Sequence, residues 1–364
     1  MIKDLLRRAI GHFDQFLLGA LVLALIVSIF VQYSATGQDM ARVTSQMGSM
    51  LIALVLMWSV ACLPPRVLQQ SAVPVYALGM LLLVGVALFG ETSHGARRWL
   101  HLGVVRIQPS ELMRIAVPMM LAWYFARREA IPRLRDHLAG AVLLGVPLLL
   151  ILKQPDLGTS LMIGASGFYV LFLAGLSWRL MLGFVVMGAA AAPFLWGMLH
   201  DYQRRRIEIL FDPQQDPLGA GYHTIQAGIA LGSGGVAGKG WLYGTQSQLD
   251  FLPERHTDFI FAVFGEEFGL VGSLLLLLLF GAIIVRGMVI ASNGSNTFCR
   301  LLAGSITLTF FTYVFVNMGM VMGLLPVVGV PLPMISYGGT SLVTLMVGFG
   351  ILMSIQGNKK LVAT

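Results

Sequence analysis

The sequence predicts an all-α integral membrane protein of about ten transmembrane helices, forming a single polytopic domain (1–364) with one long extracytoplasmic loop between spans 7 and 8. Three observations predict it. Of 364 residues, 57% are hydrophobic and only 11% are charged, whereas soluble domains carry roughly 25% charged residues. Apolar stretches close to the ~20 residues needed to cross hydrocarbon recur along the whole chain. Arg and Lys are spread unevenly among the connecting loops. A soluble globular domain is thereby excluded. The +7 formal charge, from 24 Lys and Arg against 17 Asp and Glu, carries no nucleic-acid inference, because basic loops accompany membrane topology and anionic lipid.

The expected spans are 15–32, 46–63, 73–90, 109–126, 138–152, 158–175, 179–198, 259–286, 299–322 and 339–356. The first has a basic flank, but its apolar run is too long for a signal peptide and no small-residue cleavage site follows, so it reads as a retained span. With the N-terminus inside, the short cytoplasmic segments hold Lys3, Arg7, Arg8, Arg66, Arg127, Arg128, Arg133, Arg135, Arg179, Arg286, Arg300, Lys359 and Lys360. The short loops on the other side hold only Arg42, Arg97, Arg98, Arg106 and Lys153. Both termini are therefore expected in the cytoplasm. Loop 199–258 lies outside, since a long loop translocates largely regardless of its charge. Cys62 and Cys299 fall at cytoplasmic span ends and are expected to be reduced packing residues.

Polar residues gather at the outer ends of the spans rather than at the midplane, which places any chemistry near the outer surface. Before the fourth span, Arg97, Arg98 and Trp99 lead through Gln108-Pro109-Ser110 to Glu111. Proline suits a first helical turn, and Glu111 complements the positive end of the helix dipole. Arg114, three residues on, lies on the same face and can pair with Glu111, either to fix packing or to serve a site. The second outer turn, 153–160, has Pro155 and Gly158 as breakers. It reads as a tight interhelical turn capped by Asp156, with Lys153 and Asp156 also candidate substrate ligands.

The outer loop offers an amphipathic stretch with Arg204, Arg205 and Arg206, then a glycine-rich run. GSGGVAGKG (232–240) is not a Walker loop, because Ser233 stands where glycine is required and Gly240 where Ser or Thr is required. Its glycines are expected to form tight turns at the membrane surface. At the re-entry point Asp258 follows His256 and Thr257. It is either an N-cap or a partly desolvated carboxylate whose raised pKa suits a general base. Glu266 and Glu267, about 12 Å deeper at 1.5 Å per residue, need partners within the membrane, one of them expected to be an arginine. The seven histidines show no metal-ligand spacing, so zinc has no support, whereas Mg²⁺ held by carboxylates and substrate phosphates stays open. Between the last two spans, 327–342 reads as a re-entrant loop buried in protein.

The segments GARRWL with IQPSEL, KQPDLGTSL, DPLGAGYHTIQAGIALGSGGVAGKGWLYGTQSQLDFLPERHTDFIFAVFGEEFGLVG and PLPMISYGGTSL together resemble the SEDS family of polytopic membrane proteins over essentially the whole chain. Arg255 ahead of HTDF is similar to the elongation-type branch; the division-type branch is expected to carry alanine there. The resemblance implies a peptidoglycan glycosyltransferase that polymerises lipid II on the outer face of the cytoplasmic (inner) membrane, working with a class B penicillin-binding protein as transpeptidase and with other elongation-complex proteins. Asp258 matches the family's essential aspartate. Trp99, Glu111 and Arg114 fall on family motif positions, Arg114 in place of a lysine.

Under that implication Asp258 takes the proton of the acceptor 4-hydroxyl. Some of Arg97, Arg98, Arg204, Arg205, Arg206, Lys239 and Arg255, with Mg²⁺ as a candidate ion and no organic cofactor, hold the lipid pyrophosphate, and direct displacement inverts the anomeric carbon. The competing classes are a lipid II flippase, whose critical charges should line a midplane route, and a non-catalytic scaffold.

Overall fold

The computed structural model describes residues 13–93, 96–102, 105–128, 132–154, 156–198, 201–216, 220–249, 252 and 254–358. The helices are α1 (Gln15–Ala35), α2 (Met40–Ala61), α3 (Pro65–Phe89), α4 (Pro109–Ala126), α5 (Leu134–Leu152), α6 (Leu157–Leu173), α7 (Trp178–Met198), α8 (Asp201–Phe211), α9 (Ala220–Ser233), α10 (Thr245–Gln248), α11 (Ile260–Ser292), α12 (Thr297–Val321) and α13 (Gly339–Gly357). Of these, α1, α2, α3, α5, α11, α12 and α13 are long and apolar enough to cross a membrane. The chain is a multi-span membrane protein.

Helix bounds and apolar bounds differ where polar caps extend a helix beyond its apolar run. Asp39 accepts from the backbone N–H groups of Ala41 and Arg42, so α2 begins at Met40 rather than 46. Pro65 stands in the first turn of α3, which therefore starts well before 73. The α3–α4 connection, expected as loop, carries a small antiparallel sheet in the order β1 (Glu91–Ser93), β2 (Ala96–Leu102), β3 (Val105–Ile107). Its register pairs Glu91 with Trp99 and Leu100 with Ile107.

The centre of the bundle is formed by α4 and α12. Met113, Ala116, Val117, Leu121 and Ala122 on α4, and Leu302, Ala303 and Val321 on α12, are inaccessible to solvent. The outward faces of α1, α2, α3 and α11 expose large apolar side chains such as Phe30, Leu51, Leu81 and Leu278, as lipid contact requires. Cys299 is buried as expected, but Cys62 is exposed, because it forms the C-cap of α2 rather than part of its packed face.

The glycine-rich run does more than turn. Residues 220–233 are helical, and the segment after them docks into a break in α11, where Gly269 has φ 64° and ψ −160°. Across the break the backbones exchange hydrogen bonds: Lys239 and Gly240 N–H donate to the carbonyls of Glu266 and Glu267, and Leu270 and Val271 N–H donate to those of Gly235 and Val236. A Cβ on Gly238 would stand 2.1 Å from the Glu267 carbonyl oxygen. Only glycine fits both the contact and its φ of +80°.

Candidate active site

Asp258 lies in the link between α10 and α11, and the backbone of residues 256–258 is held from three directions. Asn317 of α12, completely buried, donates through Nδ2 to the carbonyls of Asp258 and Val330, both at 2.8 Å. Ser336 donates through Oγ to the Thr257 carbonyl at 2.6 Å and accepts from Leu332 N–H at 2.7 Å. Tyr337 N–H donates to the His256 carbonyl at 2.8 Å. Gln32 of α1 joins the two segments, donating through Nε2 to Ile335 at 2.6 Å and to His256 at 3.3 Å. The irregular stretch after α12, with Val330, Leu332, Met334, Ile335 and Ser336 buried, is thus a buttress under 256–258. Its free backbone groups are tolerated because protein surrounds them.

Asp258 does not cap α11. The N-cap is Phe259, with no side-chain cap bond, and the carboxylate instead lines a cavity of about 370 Å³ together with Arg206, His223, Thr224, Glu254 and an apolar wall that includes Leu325, Pro326 and Val327. Burial, and then the nearby Glu254 charge, push the Asp258 carboxyl up to about 6 against the opposing pull of Arg206. Burial likewise lowers the His223 pKa below the ordinary histidine value, with Glu254 opposing and Arg206 adding to the shift. A carboxylate ionised at neutrality yet with a pKa this high is a competent proton acceptor.

The other expected ligands divide into groups. Arg206 reaches the cavity. On the same helix, Arg204 donates to the carbonyls of Trp196 at 2.9 Å and Gly197 at 2.7 Å, and Arg205 pairs with Asp216 at 3.1 Å. These two clasp α8 to its neighbours. Arg255 is not among the residues lining that cavity, and its guanidinium lies 3.3 Å from where a Cβ of Gly37 would stand.

Lys239 corrects one expectation. Its Nζ is 2.7 Å from Glu266 Oε1, so the partner of the intramembrane glutamate is a lysine rather than an arginine, and Lys239 is not among the residues lining the Asp258 cavity. Glu266 also accepts from Thr245 Oγ1 at 3.1 Å and Gln246 N–H at 3.0 Å. Glu267 accepts from Ser34 Oγ and from Leu242 N–H.

Glu111 and Arg114 pair at 2.8 Å, as their spacing predicts. Arg114 also reaches Ser341 Oγ at 3.3 Å and Thr159 Oγ1 at 3.4 Å, and lies 5.5 Å from the Tyr313 ring centroid. Asp156 caps α6 through Thr159 N–H at 3.1 Å and accepts from Gln108 Nε2 at 3.5 Å. This network ties α4, α6, α12 and α13 together beside a separate cavity of about 50 Å³. Lys153 is exposed at the end of α5. Trp99 is half-buried in β2, while the side chains of Arg97 and Arg98 lie outside the described residues.

Sequence reasoning misses Asn317, Gln32 and His223. For Asn317 a signal exists: it is an amide within the apolar run YVFVNMGM, and a polar side chain inside a span marks a functional or binding role.

The cell cycle protein family FtsW/RodA/SpoVE matches residues 9–361. The peptidoglycan glycosyltransferase MrdB of Escherichia coli K12 is 53% identical over 97% of this chain and 95% of its own. Among solved structures, a chain from work on the structural coordination of polymerization and crosslinking by a peptidoglycan synthase complex superposes with TM-score 0.84 at 30% identity, over 96% of this chain and 99% of that one. The rod shape determining protein RodA of Thermus thermophilus superposes with TM-score 0.73 at 28% identity, over 96% and 98%.

Proposed function

The chain belongs to the FtsW/RodA/SpoVE cell cycle protein family, and from that membership we propose that it is a peptidoglycan glycosyltransferase that polymerises lipid II at the outer face of the inner membrane during cell elongation, with Asp258 as the general base. The observation that carries the assignment is the Asp258 carboxylate, buttressed from behind and facing a cavity that also holds a cation, Arg206.

In the reaction the 4-hydroxyl oxygen of the acceptor sugar attacks the anomeric carbon of the donor while the bond from that carbon to the lipid pyrophosphate breaks. The hydroxyl proton passes to Asp258, the pyrophosphate leaves as an anion beside Arg206, and the anomeric centre inverts. No carboxylic acid is required on the leaving-group side. Basic residues concentrated in the opposite loops support both termini being cytoplasmic and the cavity facing outward. Similarity to a chain of a peptidoglycan synthase complex supports a crosslinking partner, a class B penicillin-binding protein, beside other elongation-complex proteins.

The base must be ionised, so its titration sets the acid limb of activity. Below the Asp258 pKa of about 6, kcat/KM is expected to fall about tenfold per pH unit, and above it to level off. A polymerisation pH profile with its acid midpoint near 4, the ordinary carboxylate range, would contradict the burial that the geometry implies.

Among the described residues no group of three His, Cys, Asp or Glu could hold a metal ion. A hard ion such as Mg²⁺ needs only one or two protein carboxylates plus substrate phosphates, and Glu254 in the cavity wall meets that requirement. Bound there, the ion would neutralise charge on the leaving pyrophosphate. Chelation with EDTA is then expected to lower the polymerisation rate at least about tenfold, with recovery on adding Mg²⁺; an unchanged rate removes the ion from the account.

A further inference from the structure

The Asp258 cavity contains a second group with no assigned role. His223 lies on α9, lines the cavity, and stacks on Phe259, the residue after Asp258, with ring centroids 5.8 Å apart and planes 13° from parallel. Its Nδ1 is buried and has no hydrogen-bond partner among the described residues.

That orphaned nitrogen settles the tautomer on physical grounds. A buried N–H without an acceptor costs more than a buried lone pair without a donor, because unpaired buried donors are the rarer and less tolerated case. A doubly protonated ring would bury such an N–H and add a second positive charge beside Arg206. The ring is therefore neutral, with its lone pair on Nδ1 and its proton on Nε2. Because Nδ1 is sealed off, Nε2 is the polar atom that a molecule in the cavity can meet. The stack on Phe259 limits rotation of the ring, so the N–H is presented in a set direction.

We infer that His223 is a substrate-binding residue whose Nε2–H donates to an oxygen of the acceptor sugar and holds that sugar's 4-hydroxyl against Asp258. A neutral donor suits a carbohydrate oxygen, while the permanently charged Arg206 in the same cavity suits the pyrophosphate. The inference rests on the glycosyltransferase reading and adds to it the residue that positions the nucleophile.

The test uses full-length protein in detergent and fluorescent lipid II, with KM and kcat measured separately and a thermal melt for each variant. His223→Phe keeps a ring to stack on Phe259 but lacks the N–H. It should melt as the wild type does and show kcat/KM at least about tenfold lower, the worth of one neutral hydrogen bond. His223→Gln and His223→Leu both lose the ring, but only glutamine offers an N–H near the Nε2 position. The glutamine variant should exceed the leucine variant by about tenfold in kcat/KM. This second comparison holds even if the phenylalanine variant does not fold.

Wild-type kinetics in the phenylalanine variant, or equal kinetics in the glutamine and leucine variants, would overturn the role of His223 while leaving the activity standing. Absence of polymer from the folded wild type would overturn both.

Discussion

Replacing Asp258 by asparagine is expected to lower the initial rate of lipid II polymerisation by about 10²- to 10⁴-fold, the range that a positioned general base contributes. The shape of the side chain is kept, and Asn317, Ser336 and Tyr337 hold backbone carbonyls rather than the side chain, so the buttress should remain assembled. Stability should move the other way. Because the folded carboxyl titrates near 6 rather than 3.8, the native state binds its proton more tightly than the unfolded chain does. Its burden is absent below about pH 3.8, grows as pH rises through 6, and is fully present at pH 7. The asparagine side chain carries no charge to desolvate, so the variant should melt at or above the wild-type temperature at pH 7. An Asp258→Asn protein within about threefold of the wild-type rate would remove the base from the mechanism.

The second large effect is structural. Lys239→Met is expected to cost about 3–5 kcal/mol of stability, because it leaves the Glu266 carboxylate buried without its cation. Glu266 is inaccessible to solvent and sits one residue before Glu267, whose carbonyl accepts the backbone N–H of Gly240. Disturbing it should loosen the docking of 234–240 into the break of α11. Adding Glu266→Gln to Lys239→Met should restore most of the loss, since the charge is then gone with its partner. Thermal melts of the single and double variants in detergent read this out, with KM for lipid II unchanged wherever the protein folds. A Lys239→Met protein of normal stability and sharply raised KM would instead return Lys239 to the pyrophosphate site.

What was legible in the sequence follows from how each signal arises. Apolar runs come from the bilayer itself, so the spans were visible in the sequence, with bounds that shifted where a cap such as Asp39 or a first-turn proline such as Pro65 lengthens a helix; the helix Ala220–Ser233 and the sheet between α3 and α4 carry no such apolar run and were not visible. Local pairings were readable as well. Glu111 with Arg114 and Asp156 with Thr159 are fixed by helical spacing alone. Contacts made over long separations were not. Lys239 with Glu266, and Gln32 with His256 and Ile335, depend on which segments the bundle brings together. The run 232–240 suggested surface turns because glycine signals permissive backbone, but nothing local shows that the backbone being approached is the broken α11. Asp258 had two readings at its position, cap or base, and only the start of α11 at Ile260 with Phe259 as its cap removes the first of them.

The central claim, that this membrane protein makes glycan polymer rather than carrying its precursor, is tested most directly in proteoliposomes containing fluorescent lipid II. Polymer on a gel and movement of intact lipid II between leaflets are measured in the same sample, with and without the cognate class B penicillin-binding protein and beside Asp258→Asn. Polymer is expected from the wild type, and at least about 10²-fold less from Asp258→Asn. Leaflet exchange of intact lipid II with no polymer, from folded protein in the presence of its partner, would contradict the claim.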